Sequence, residues 1–90
     1  MAKKRLHVVI AGIVQGVMFR AATKRKADEL GLAGWVKNNI NGTVEAVFEG
    51  EESQLAQMLE FCWHGSPNAR VDEIDVHWMD AGDFDNFEVR

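Results

Sequence analysis

The chain has 90 residues, 47% of them hydrophobic, and ten Lys/Arg against fourteen Asp/Glu give it a net charge of −4. That is enough chain for one hydrophobic core and not for two, so residues 1–90 read as a single domain. One cysteine, Cys62, excludes an internal disulfide and any CxxC metal or redox motif, and no run approaches the roughly 18 apolar residues of a membrane span.

Lys3, Lys4 and Arg5 ahead of Leu6–Val14 imitate a secretory leader. Gly12, Gln15 and Gly16 interrupt the apolar stretch, however, and no small-residue cleavage site follows. The expected location is the cytoplasm. Leu6–Ala11 is a β-rich run that leads into a glycine loop, Gly12-Ile13-Val14-Gln15-Gly16-Val17-Met18-Phe19-Arg20. Gly12 and Gly16 let the chain curl so that successive N–H groups point inward, and the helix start that follows adds its own unpaired N–H groups and positive dipole end. Arg20 falls in the first turn of that helix, where an exposed cation opposes the dipole by roughly 0.3–1 kcal/mol. An anion between the two removes the conflict, so the loop reads as a phosphate site.

Phe19, Thr23, Ala27 and Leu30 recur at helical spacing until Gly31 supplies a stop. Gly34–Asn38 is a short strand, Asn41-Gly42 a hairpin turn, and Val44, Ala46 and Phe48 alternate with Thr43, Glu45, Val47 and Glu49 in an amphipathic strand. Glu51 and Glu52 open a second helix whose buried stripe is Leu55, Met58, Leu59 and Cys62, with Cys62 an inert buried thiol, and Gly65 and Pro67 end it. In the long strand that follows, Ile74, Val76 and Trp78 point inward between Asp75 and His77, and Phe84, Phe87 and Val89 return to the sheet as a closing segment. Trp35 and Trp78 read as packing residues and Trp63 as partly exposed. The βαββαβ order predicts an α+β, ferredoxin-like sandwich, an antiparallel sheet with both helices on one face.

The charge is unevenly spread: eight Lys/Arg and two acids lie up to Lys37, two Lys/Arg and twelve acids from Asn38 onward. The glycine loop lies in the basic part, although Lys24, Arg25 and Lys26 read equally well as a solvated helix face. His7, His64 and His77 show no metal-ligand spacing, there is no GxSxG elbow or Walker loop, and Asp80, Asp83 and Asp85 read as a solvated loop. No metal site is expected.

Three blocks of residues carry a family resemblance that spans nearly the whole chain. Gly12–Arg20 is similar to the phosphate-loop signature of the acylphosphatase family, and Leu30-Gly31-Leu32-Ala33-Gly34-Trp35-Val36-Lys37-Asn38, with Gly42-Thr43-Val44-Glu45 after it, resembles that family's second block. Gly65-Ser66-Pro67, Ala69-Arg70-Val71 and Phe87-Glu88-Val89-Arg90 look like its closing segments. The resemblance implies a hydrolase of acyl phosphates in which Arg20 and the backbone N–H groups of Gln15, Gly16, Val17, Met18, Phe19 and Arg20 bind phosphate while Asn38 positions the attacking water. Asn41 stands where that family commonly has aspartate, a departure that bears on the hairpin. Asn39 and Ala21 neighbour the two key residues and are placed to tune substrate fit.

That role agrees with elementary chemistry. The leaving carboxylate has a conjugate acid of pKa about 4, so its departure at neutral pH needs no general acid. Phosphoryl transfer through a loose transition state calls for positioning and for charge stabilisation on the equatorial oxygens, which a guanidinium and several amides supply without a metal or another cofactor. An amide side chain at a strand end can hold water in line, and a phosphate oxygen can take the water's proton. The implied partners are an acyl phosphate substrate and inorganic phosphate as product, with no nucleic acid, no membrane and a monomeric chain. An RNA-binding module is disfavoured by Glu45 and Glu49 on the outward strand positions. The more serious rival is a noncatalytic anion-binding domain, which gives no reason for a water-positioning amide.

Overall fold

The computed structural model describes residues 3–90. Its elements are β1 (Lys3–Ile13), α1 (Phe19–Glu29), β2 (Ala33–Asn38), β3 (Val44–Glu51), α2 (Glu52–Cys62), β4 (Arg70–Asp80) and β5 (Phe87–Val89). Alternation places Leu6, Val8 and Ile10 of β1 and Val44, Ala46 and Phe48 of β3 on one sheet face, where all six are fully buried beneath Phe19 and Ala27 of α1 and Leu55, Met58 and Cys62 of α2. Leu59, expected in the buried stripe of α2, only borders the core.

The strand order is β4-β1-β3-β2-β5. The first four strands pair antiparallel, as expected for a ferredoxin-like sandwich, and β5 adds a parallel edge against β2, so the five-stranded sheet is mixed rather than purely antiparallel. Because β4 and β5 lie at opposite edges, residues 81–86 must pass across the sheet. They do so on the face away from the helices. There Glu49 of β3 accepts hydrogen bonds from the amides of Gly82 at 2.6 Å and Phe84 at 3.3 Å and from Arg5 Nε at 2.6 Å, while the Arg5 guanidinium lies over the Phe84 ring. Two outward positions of β3 are therefore not solvated: Val47 and Glu49 are both buried, the latter against its polarity. The stretch around Asp83 and Asp85 is a strap as well as a loop.

Trp78 departs from expectation. It pairs with Leu6 on the core-facing side, yet it is 47% exposed. The helices pack over β2, β5, β3 and β1, so the far end of the edge strand β4 projects beyond their cover. Trp35 stands on the outer face beneath Lys37 and Arg90, and Trp63 is half exposed as expected. No helix among the described residues is long and apolar enough to cross a membrane.

Candidate active site

The loop between β1 and α1 is shaped by two residues in the left-handed region, Gly16 at φ 75° and Met18 at φ 66°. Glycine takes that conformation at no steric cost. Methionine does not, and Met18 carries a penalty of roughly 1–2 kcal/mol. Met18 is the N-cap of α1, but its side chain offers no cap and the first turn holds no acidic residue. Among the described residues, no backbone carbonyl accepts from the N–H groups of Gln15 through Ala21, and the first internal bond of the helix runs from Ala22 N–H to the Met18 carbonyl. A row of uncommitted donors thus stands at the positive end of a helix dipole.

Five residues of that row, Gly16, Met18, Phe19, Arg20 and Ala21, border a cleft of about 360 Å³ that Val14, Asn38 and Val89 also line. Arg20 Nη1 donates to the main-chain oxygen of Arg90 at 3.2 Å, and Arg90 N–H donates to the Val36 carbonyl at 2.8 Å, so the guanidinium is braced against the β2–β5 edge. Asn38 ends β2 opposite Val44. Its side chain makes no hydrogen bond among the described residues, and its Oδ1 is buried without a partner. Buried polar atoms are nearly always paired, and the other one left without a partner among the described residues is Thr23 Oγ1 of α1.

Of the residues expected at a phosphate site, Gly16, Met18, Phe19, Arg20 and Asn38 meet in this cleft, as does Ala21. Gln15 and Val17 do not line it. The Gln15 side chain turns toward the β2–β3 hairpin, where Nε2 donates to the carbonyls of Asn39 at 2.7 Å and Thr43 at 2.9 Å. It ties the loop to the hairpin that carries Asn38. Asn39 donates to Thr43 Oγ1, and Asn41 Oδ1 accepts from the Thr43 amide and hydroxyl, so both asparagines serve the turn. Val17 packs against the core, and its carbonyl accepts from the hydroxyl of Ser66, a contact between residues 49 apart that no local sequence signal announces.

Other ionisable groups lie outside the cleft. His7 and His77 face each other across β1 and β4 with stacked rings 5.8 Å apart, a pairing their sequence separation conceals. His7 Nε2 also lies 2.7 Å from Glu45, and this hydrogen bond holds the Glu45 carboxyl below its ordinary range against the opposing effect of burial. Cys62 is fully buried, which pushes its thiol up to about 12. No group of His, Cys, Asp and Glu among the described residues is arranged to hold a metal ion. A larger groove of about 530 Å³ runs between the helices past Lys26, Gln57, Glu60 and Phe61, without the convergent donors of the cleft.

Comparison with known proteins identifies the family of the chain. The family model described as Acylphosphatase matches residues 6–89. An acylphosphatase of Pelotomaculum thermopropionicum is 43% identical over 90 residues, covering 99% of this chain and 98% of its own, and one of Haloarcula marismortui is 47% identical, covering 100% and 99%. The structure of an acylphosphatase from Coxiella burnetii superposes with a TM-score of 0.95 at 39% identity, over 99% of this chain and 94% of that one. Matched from end to end in sequence and in backbone, the chain belongs to the acylphosphatase family, hydrolases that act on acyl phosphates.

Proposed function

We propose that this acylphosphatase holds the phosphoryl group of its substrate on the N–H groups of Gln15 to Arg20 and on the Arg20 guanidinium, while Asn38 positions the attacking water. The observation that carries the reading is the convergence on one cleft of an uncapped row of amides, a braced cation and an amide side chain with no other partner. The donors match the three equatorial oxygens, on which charge spreads in a loose transition state. Both ends of the Asn38 amide are uncommitted, so rotation about its terminal bond can present Oδ1 to accept from a water or Nδ2 to donate to it.

The water oxygen forms the new bond to phosphorus as the bond from phosphorus to the acyl oxygen breaks. The electron pair of that bond leaves on the carboxylate, which is stable without a proton at neutral pH, and a phosphate oxygen takes the proton of the water. The products are a carboxylate and inorganic phosphate, and the chemistry requires no metal. An intracellular acyl phosphate is the proposed substrate.

Hydrolysis of benzoyl phosphate at neutral pH in the presence of a chelator tests this. The unmodified protein is expected to turn over, and Arg20→Ala to lose turnover and phosphate affinity together. Activity that disappears on chelation and returns with a divalent ion would overturn the metal-free mechanism, and normal catalysis by Arg20→Ala would overturn the cradle.

A further inference from the structure

We propose that Ser66 is a positioning residue of the phosphate loop: its hydroxyl fixes the Val17–Met18 peptide so that the Met18 N–H faces the cleft. The proposal rests on the reading of the loop as a phosphate cradle. Ser66 lies in the connection between α2 and β4, is 5% exposed, and donates through Oγ to the Val17 carbonyl. The peptide bonds of the described chain are all trans, and in a planar trans peptide the C=O and the following N–H point in opposite directions. A carbonyl drawn toward Ser66 therefore sends the Met18 N–H away from it. Ser66 itself borders grooves shared with Trp63, Pro67 and Arg70 on one side and Arg25 and Phe61 on the other, whereas Met18 lines the cleft. The amide thus projects from the far side of the peptide, where the anion binds.

The local chain opposes this arrangement. Rotating the Val17–Met18 peptide by half a turn would change φ of Met18 by about 180° and carry it from the left-handed region to negative values, which a residue with a Cβ favours. The same rotation would replace a donor with a carbonyl oxygen on the anion side. The Ser66 hydroxyl opposes that rotation because it bonds the carbonyl only in the observed orientation. Gly65 brings the hydroxyl within reach: at φ 60° it packs against Phe19 so closely that a Cβ there would lie 2.2 Å from the ring. One corner of the chain therefore touches both the loop, at Val17, and the first residue of α1, Phe19.

The test is Ser66→Ala, compared with the parent by kcat/KM for benzoyl phosphate, by the inhibition constant of inorganic phosphate, and by the amide NMR shifts of Gly16 and Met18 on phosphate addition. The expected result is a kcat/KM lower by roughly tenfold to hundredfold, on the scale of a weakened oxyanion donor, and a raised phosphate inhibition constant. The Met18 response should shrink while that of Gly16 persists. Met18→Gly in the Ser66→Ala background should recover phosphate affinity, because glycine removes the bias toward the rotated peptide. A Ser66→Ala protein that keeps the parental phosphate constant and Met18 response would overturn the proposal while leaving the cradle intact. A parent protein that shows no amide response to phosphate would overturn both. If Ser66→Ala does not fold, Ser66→Cys, of similar volume and with a far weaker donor, is read by the same criteria.

Discussion

Replacing Asn38 by alanine separates stability from activity in a way that follows directly from its surroundings. A buried polar atom without a partner costs about 1–3 kcal/mol, and Asn38 Oδ1 is such an atom. Alanine removes that cost, at the expense of the packing made by the few side-chain atoms beyond Cβ. The two changes nearly cancel, so the variant should lie within about 1 kcal/mol of the parent or be slightly more stable. For 90 residues the unfolding entropy is about 0.19 kcal/mol/K, so 1 kcal/mol moves the melting temperature by about 5 °C. Turnover, by contrast, should fall by about 10²-fold or more, equivalent to about 2.7 kcal/mol of lost transition-state positioning, with phosphate binding retained. Calorimetry with and without inorganic phosphate, together with steady-state kinetics on benzoyl phosphate, measures all three quantities. A variant that melts more than about 10 °C below the parent would show that the amide is structural; one that hydrolyses substrate at the parental rate would refute the water-positioning role.

Glu49 and Cys62 give further expectations. Burial raises the Glu49 carboxyl, but the amides of Gly82 and Phe84 and the Arg5 guanidinium outweigh it and hold the group below its ordinary 4.5. Because the folded value lies below the unfolded one, Glu49 contributes stability above pH 4.5 that is lost as pH falls through the folded value. Glu49→Gln should cost about 2 kcal/mol at neutral pH and flatten the acid limb of a denaturant-midpoint profile; an acid limb as steep as the parent's would show that the strap does not depend on this charge. The Cys62 thiol, fully buried and pushed up to about 12, should react with a thiol reagent at pH 8 only through unfolding, at a rate that rises with denaturant. Reaction at the rate of a free cysteine in native buffer would mean that α2 opens locally.

The parts of this molecule legible in its sequence are those written in short-range patterns. The alternation around Val44, Ala46 and Phe48, the Asn41-Gly42 turn and the helical recurrence of Phe19, Thr23 and Ala27 each report a local periodicity that packing then obeys. Arg20 was legible because its charge conflicts with its position in the helix. What escaped depends on where distant segments come to lie. Glu49 has the polarity of a solvated residue and is buried only because residues 81–86 cross the sheet to reach β2. Trp78 has the correct parity for the core, but parity says nothing about how far the helices extend over an edge strand.

The phosphate loop joins these two kinds of information. Its glycines and its arginine carry the proposal that an anion binds there, yet Met18 prefers a backbone conformation other than the one observed, so the local sequence alone does not hold the loop open. The restraints come from elsewhere in the chain. Gln15 reaches the carbonyls of Asn39 and Thr43 on the hairpin that bears Asn38, Ser66 engages the Val17 carbonyl from beyond α2, and Arg90 accepts from Arg20. Each restraint is a hydrogen bond to a main-chain oxygen, which any residue type at the receiving position provides. Its donor therefore leaves a trace in the sequence as a single Gln, Ser or Arg, and its acceptor leaves none. This is why the proposed chemistry of the cleft can be argued from one motif while the geometry that sustains it requires the whole fold.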